Sequence, residues 1–326
     1  MALSLFGAVE SGIIYAIMAL GVYLTFRVLD FPDLTVDGSF VTGAGVAAVS
    51  IVSGVPPVLA TIFAIIAGFI AGCITGLLHT KGKINALLSG ILMMIALYSI
   101  NLRIMDKPTV SLSSEETLFS QLRGIWPEGI DSFLNNLWNS IGLGRAPATW
   151  IIVAFMIVVA LAIKFLTDYF LKTEVGLALR ATGDNKRMIR SLSANTDNLI
   201  ILGVGISNAM VALSGALIAQ IGGFADVQMG IGMIVIGLAS VIIGEALFGK
   251  KTIAIATIAV IGGAIVYRIV VTLALRVEFL ETGDMKLITA FIVIVALVAP
   301  KVLQGQREKK RRLQKRAALV ELKEEA

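Results

Sequence analysis

Apolar residues run along this chain in blocks at about 8–29, 56–79, 84–102, 149–171, 198–221, 230–248, 252–275 and 286–300. A helix needs about 20 such residues to cross the hydrocarbon core of a bilayer. Each block approaches that length except the last, which is short. One further stretch, 35–53, is apolar but rich in Gly, Ser and Thr. It reads as a helix that spans or dips partway and is interrupted, and Pro56 and Pro57 mark its boundary with the next helix. The pattern predicts an all-α, polytopic membrane protein with about eight to nine transmembrane helices over residues 1–300, followed by a polar tail at 301–326.

Two polar segments separate the blocks. Residues 103–148 carry Arg103, Lys107, Arg123 and Arg145 against Asp106, Glu115, Glu116, Glu128 and Asp131, with Trp126, Trp138 and Trp150 in or beside them. Tryptophans of this kind belong at a membrane interface. Residues 172–197 are more basic and read as an amphipathic helix ending at Gly183, then a second helical piece through Ala194. Positive charge collects there, at Lys250–Lys251, at Lys81 with Lys83, and in the tail. With the spans above, all four regions fall on one side, expected to be the cytoplasm because cytoplasmic loops hold the excess of Lys and Arg. Residues 103–148 then face outward. The N-terminus is external if 35–53 spans fully.

Composition agrees. Of the 326 residues, 57% are hydrophobic and 15% charged, against about 25% charged in soluble domains. The 32 glycines suit helices whose backbones approach closely in lipid. The net charge of +5 comes from the tail, where nine Lys or Arg meet Glu308, Glu321, Glu324 and Glu325. A nucleic-acid reading needs such a patch on a folded soluble domain. Here the patch follows a hydrophobic helix, which points to anionic membrane lipid. Cys73 and His79 are each the sole residue of their kind, so intrachain disulfides, multi-histidine metal sites and histidine-rich catalysis are excluded. The N-terminus lacks a basic start and is not expected to be a cleaved signal.

Candidate chemistry begins at Asp33-Leu-Thr-Val-Asp-Gly-Ser-Phe-Val-Thr-Gly-Ala-Gly45. Acids at membrane depth cost about 2.5–3.5 kcal/mol on insertion scales and normally face protein or water. Asp33 and Asp37 share a face if the segment is helical. Asp33 or Thr35 caps the helix, or a broken helix lines a pathway that includes Thr35 and Ser39; both can hold. Phe31–Gly38 has an echo at Phe224–Gly230, each with an aromatic, an acid two residues on and a Gly-rich helix start. An odd number of spans between them would make the repeats inverted, as in many transporters. Asp226, Gln228 and Asn208 join the candidate pathway. Gly244–Lys251 resembles a phosphate-binding loop but has Lys251 where Ser or Thr should hold Mg²⁺, so Gly249, Lys250 and Lys251 are read as a tight turn. Asn85, Ser89, Asn101, Ser207 and Ser214 read as hydrogen bonds between helices. Arg268 is expected to snorkel or pair with an acid other than Glu245.

The pattern Thr173-x-x-Gly176-x-x-Leu179-Arg180-Ala181-x-Gly183-x-Asn185 resembles the cytoplasmic coupling segment of permease subunits of ATP-binding-cassette importers in the branched-chain amino acid and ribose group. The Asp33–Gly45 segment is similar to that group's early motif, closest to a subfamily assigned to tryptophan or other aromatic amino acids. The resemblance covers most of residues 10–300. It implies a second permease copy as a homodimer, two ATPase subunits docked on Thr173, Gly176, Arg180, Ala181, Gly183 and Asn185, and an external or lipid-anchored substrate-binding protein. It also implies a bacterial cell-membrane location with a cytoplasmic C-terminus. ATP and Mg would sit on the partner ATPase, with no cofactor bound by this chain. A secondary transporter or channel is the alternative, with Asp33, Asp37 and Asp226 as ion or proton sites. A membrane-embedded enzyme would need clustered His, Cys or carboxylates at matched depths.

Overall fold

The computed structural model describes residues 2–274 except 141, 143, 144 and 193, together with isolated positions at 287, 290, 291, 294, 295 and 298. The expected span at 286–300 and the tail at 301–326 therefore lie largely or wholly outside the described residues.

Helix α1, Ala2–Tyr23, runs on through a π-helical turn at Leu24–Val28. Then come α2 (Thr35–Val52), α3 (Pro57–Thr80) and α4 (Ala86–Met105). A polar crossing follows, with strand β1 (Thr109–Ser111) and helices α5 (Leu118–Ile125) and α6 (Glu128–Ser140). Helices α7 (Ile151–Lys172), α8 (Glu174–Ser191) and α9 (Thr196–Gly222) precede strand β2 (Phe224–Asp226), α10 (Met233–Phe248) and α11 (Ile253–Ala274). Among the described residues, seven helices are long and apolar enough to cross a membrane: α1 with its π turn, α2, α3, α4, α7, α9 and α11. Helix α10 is apolar but shorter, at 16 residues.

Helices α2 and α9 form the centre. Each is mostly buried, whereas α3 leaves Ile62, Ile66, Ile70 and Ile74 exposed at every fourth residue. That stripe suits a lipid face, since apolar side chains gain nothing by leaving hydrocarbon. Helices inside lipid are held by close backbone approach and interhelical hydrogen bonds. Gly68, Gly72 and Gly76 of α3 accordingly lie on Asn208 and Ala212, Val204, and Ile201 of α9, with no room for a Cβ. Ser207 Oγ donates to the Gly21 carbonyl at 2.7 Å and Ser214 Oγ to that of Ile14 at 2.9 Å, fixing α9 on α1. These serines do what the sequence led one to expect.

The stretch 35–53 is one continuous helix, not an interrupted one. Its small residues serve packing: Gly38 abuts Leu97, Gly43 abuts Ala212, and Gly45 abuts Met105. Thr42 Oγ1 bonds the Gly38 carbonyl and Asn101 Oδ1. These contacts and the helix's own backbone hydrogen bonds remove the reason for a break.

The one departure from an all-helical chain among the described residues is the antiparallel pair β1–β2, in register Thr109↔Asp226 and Ser111↔Phe224. It ties the start of the 103–148 crossing to the end of α9. In that crossing Trp126 Nε1 donates to Asp131 and Trp150 Nε1 to Asn135, while Phe6 packs edge-on against Trp150.

Candidate functional site

Three of the sequence-derived residues meet at the start of α2. Asp33 Oδ1 accepts from the Thr35 backbone N–H at 2.9 Å, and its Oδ2 accepts from Asn208 Nδ2 at 2.7 Å. Thr35 Oγ1 lies 2.8 Å from Thr75 Oγ1 of α3. All four residues are buried. Asp33 thus caps α2 and joins it to α9. It precedes the helix, so it does not share a face with Asp37 as a helical register would require. Ser39 is buried on α2, its Oγ without a partner among the described residues.

Asp37 turns the other way. Its Oδ2 accepts from the Gly232 N–H at 2.9 Å and its Oδ1 from that of Ile234 at 2.8 Å. It caps another helix, α10, whose N-cap Gly232 offers no side chain of its own. The carboxylate stands between two helix N-termini, where the peptide dipoles favour negative charge. Gly38, next along α2, packs on Leu97, near the middle of the 20-residue α4. Helix α10 therefore begins inside the bundle.

The segment 227–232 reaches that point from the β1–β2 pair. Asp226 and Gln228 stand at its other end: Asp226 Oδ2 accepts from Thr109 Oγ1 at 2.6 Å, its Oδ1 accepts from the Gln228 N–H at 2.7 Å, and Gln228 is exposed. They do not join the Asp33–Asn208 cluster. The echo of Phe31–Gly38 at Phe224–Gly230 corresponds to the approaches to α2 and α10, two helix starts that meet at Asp37. Beside Asp37 lies a groove of about 400 Å³ between α2, α4 and residues 227–231.

The second group lies on α8. Thr173 alone separates α7 from α8; its Oγ1 donates to the Phe170 carbonyl at 2.7 Å and accepts from the Gly176 N–H at 3.2 Å. A Cβ at Gly176 would collide with the Phe170 carbonyl and Leu171, and one at Gly183 with the Val28 carbonyl. Leu179 is fully buried, while Arg180 is exposed. The helix breaks at Asn185 (φ −151°, ψ 87°), two residues beyond Gly183, where the sequence placed the end, and Asn185 Oδ1 accepts from the Met188 N–H. The glycines and polar residues of the motif are thus those that bend, cap and seat this helix. Ala181, Arg180 and Gly183 line a polar cleft of about 770 Å³ against the π-helical end of α1, with Arg27 and Asp30 opposite. At the far end, burial and nearby Arg190 lower the Lys186 ammonium below the usual lysine range, against the pull of Asp197.

Sequence reading missed two charge networks. Lys164 and Asp168, one turn apart on α7, pair at 2.6 Å with side chains 6% and 8% exposed, and Thr257 Oγ1 of α11 donates to Asp168 at 2.7 Å. Two opposite charges four residues apart inside an apolar block were the available signal. Arg27 of the π turn pairs with Glu245 near the end of α10; nothing in the sequence links positions so distant. Arg268 bonds Ser11 Oγ at 3.0 Å and lies over the Tyr15 ring, with no acid paired to it among the described residues.

A family model described as "Branched-chain amino acid transport system / permease component" matches residues 4–298. A tyrosine transport system permease protein of Clostridioides difficile is 43% identical over 285 residues, 87% of each chain. An uncharacterised protein of Rickettsia prowazekii is 37% identical over 74% of this chain and 76% of that one. An autoinducer 2 import system permease protein of Yersinia enterocolitica is 28% identical over 70% of this chain and 56% of that one. No solved structure matches.

Proposed function

We propose that this chain, which belongs to the branched-chain amino acid transport system permease family, is the transmembrane subunit of an ATP-binding-cassette importer for an amino acid, and within that class an aromatic one. The observation that carries this reading is helix α8. It is joined to α7 by one residue and seated on the end of α1, and it presents Leu177, Arg180, Asp184 and Met188 outward, all exposed. A helix with a buried face of Gly176, Leu179, Thr182 and Ile189 and a mixed charged and apolar outer face suits a docked partner. That partner is a separate ATPase, present in two copies, which carries the ATP and Mg. Two copies of this chain form the pathway in a bacterial cell membrane, with α8 and the C-terminus cytoplasmic, and an external or lipid-anchored binding protein delivers the solute. The aromatic choice draws on the printed name of the C. difficile relative.

The links from α8 give the stroke a route. Motion of α8 passes to α7 through the Thr173 corner and to α1 at Gly183. Asp168 then engages α11, and Arg27 engages α10. A transport cycle needs two states that its ligands favour differently, and α10, held at one end by Asp37 and at the other by Arg27, is the element we assign to that change. Asp33, Thr35, Ser39, Asn208, Asp226 and Gln228 support its surroundings and the pathway.

Purification from the native cell membrane in mild detergent, with co-purifying proteins identified and ATPase activity assayed, tests this. A stoichiometric complex whose ATPase activity depends on α8 supports the importer. A chain that purifies alone and still moves solute in liposomes would overturn it in favour of a secondary transporter.

A further inference from the structure

The groove beside Asp37 differs from the rest of the apolar surface. The exposed stripe Ile62, Ile66, Ile70 and Ile74 of α3 carries no charge and suits lipid. A second groove of about 400 Å³, between α3, α7 and α9, is apolar throughout apart from threonine and tyrosine hydroxyls. The groove between α2, α4 and 227–231 instead has a carboxylate in its wall, near the middle of α4. Asp37 is half-buried, and this groove is lined by it. A carboxylate open to hydrocarbon is costly and normally faces water or protein. The groove's other wall is irregular backbone, Val227–Gly232, at the same depth. Non-helical backbone at membrane depth is tolerated only inside protein or along a water-filled cavity. Both features, joined by the hydrogen bonds of Asp37 to Gly232 and Ile234, exclude lipid in front of this groove; with two copies of this chain around a pathway, the space there is taken as that pathway.

Its remaining wall is apolar and aromatic. Met94, Ile95 and Tyr98 of α4 line it, Ile95 and Tyr98 more than half exposed or at half exposure (59% and 50%), with Ile231 across from them at 56%. Asn101 is tied to α2: its Oδ1 accepts from Thr42 and its Nδ2 donates to the Gly38 carbonyl. Asp37 is different. Each oxygen accepts one backbone N–H, and an ionised carboxylate has about four acceptor positions, so it can also receive an ammonium group. A volume of about 400 Å³ lies in the range of small-molecule sites, about 300–1,000 Å³.

We propose that this groove is a transit subsite for the solute, in which Met94, Ile95 and Tyr98 receive a large apolar or aromatic side chain and Asp37 receives the amino group. The ligand class is a zwitterionic amino acid with a bulky apolar side chain. Selectivity then resides partly in the membrane subunit, through α4. This rests on the importer reading above and adds to it where the solute touches the chain.

The test uses the permease with its ATPase in proteoliposomes, in a Cys73→Ser background. Single cysteines are placed by Ile95→Cys and Tyr98→Cys, and by Ile66→Cys and Val158→Cys as lipid-face controls. A charged, water-soluble thiosulfonate reacts only with thiols in water. The two groove cysteines should be modified at least tenfold faster than the controls. In parallel, Ile95→Trp, which fills the groove, should lower L-tyrosine uptake at least tenfold while the ATPase still co-purifies, and Ile95→Val should retain uptake. Groove cysteines as inert as the controls, or full uptake by Ile95→Trp, overturn the proposal. Loss of the importer reading is recognised separately: no ATPase co-purifies with the unsubstituted chain, while the labelling ratio still decides whether the groove is aqueous.

Discussion

Asp37 Oδ1 and the backbone N–H of Ile234 are 197 residues apart in the chain and 2.8 Å apart in space. With the Gly232 N–H on its other oxygen, this side chain joins the starts of two helices, α2 and α10. A single residue thus fixes where α10 begins.

Asp37→Ala leaves two N–H donors of α10 without their acceptor. Loss of a helix cap costs about 0.5–2 kcal/mol, and hydrogen bonds to a charged group contribute about 1.5–3 kcal/mol. The variant should insert and assemble but unfold in detergent at lower temperature, by about 1–3 kcal/mol, with uptake reduced more than assembly. Asp37→Asn, which keeps one acceptor oxygen, should fall between. Thermal unfolding alongside uptake measures both, and normal uptake by Asp37→Ala would reduce Asp37 to a dispensable cap.

The corner at Thr173 predicts a contrast between glycines. Gly176→Ala brings a Cβ into the Phe170 carbonyl, so it should displace α8 and weaken ATPase binding through the fold. Gly124→Ala, on α5 with nothing within 4 Å, should be neutral or stabilising by about 0.5–1 kcal/mol. Arg180→Glu changes an exposed side chain in the cleft that faces Arg27 and Asp30 and should lower ATPase co-purification with only a small change in unfolding temperature. Equal co-purification by Arg180→Glu and the unsubstituted chain would move the dock off this face.

Lys164 and Asp168 are buried together. Removing one partner from such a pair typically costs about 3–5 kcal/mol, whereas replacing both with apolar residues is often far milder. Lys164→Met and Asp168→Leu should each reduce membrane-inserted yield and unfolding temperature, and the double substitution should recover most of the loss. A double variant as damaged as the sum of the singles would show that the two charges act independently.

Arg27 and Glu245 are partly exposed, their side chains at 43% and 11%, so their coupling should be small, about 0.2–1 kcal/mol. Glu245→Gln should therefore leave the unfolding temperature nearly unchanged while altering the rate of ATP-driven uptake, because the pair ties the π turn of α1 to the end of α10. Exchange of the charges, Arg27→Glu with Glu245→Arg, should restore part of the rate. No rate change in either variant would mean the pair has no part in the cycle.

Much of this was legible along the chain because its physics is local. A run of apolar residues long enough to cross hydrocarbon must satisfy its own backbone, and a helix does so without distant partners. Hence the membrane class, the long helices through 252–275, the amphipathic segment at 172–197 and its motif were readable, as was the turn at Gly249, whose φ is +83°; the block at 230–248 read as a full span, but its helix has 16 residues and falls short of one. The break after Gly183 was misplaced by two residues, because Asn185 supplies the cap that starts the second piece.

What the chain could not reveal depends on partners far away in sequence. A helix rich in Gly, Ser and Thr is stable or interrupted according to what lies against it; α2 is whole because α4 and α9 fill its small positions. Asp33 and Asp37 look equivalent in the motif, yet one faces Asn208 and the other the start of α10. Burial of a charge is likewise a property of neighbours: Arg27 finds Glu245, and Asp168 finds Thr257, only once the helices are packed. Sequence by itself determined the membrane class, most of the helices and the motif, since hydrophobic length is set within each segment. Tertiary structure alone decided which polar groups meet, since in a medium without water each such group must find its partner across helices.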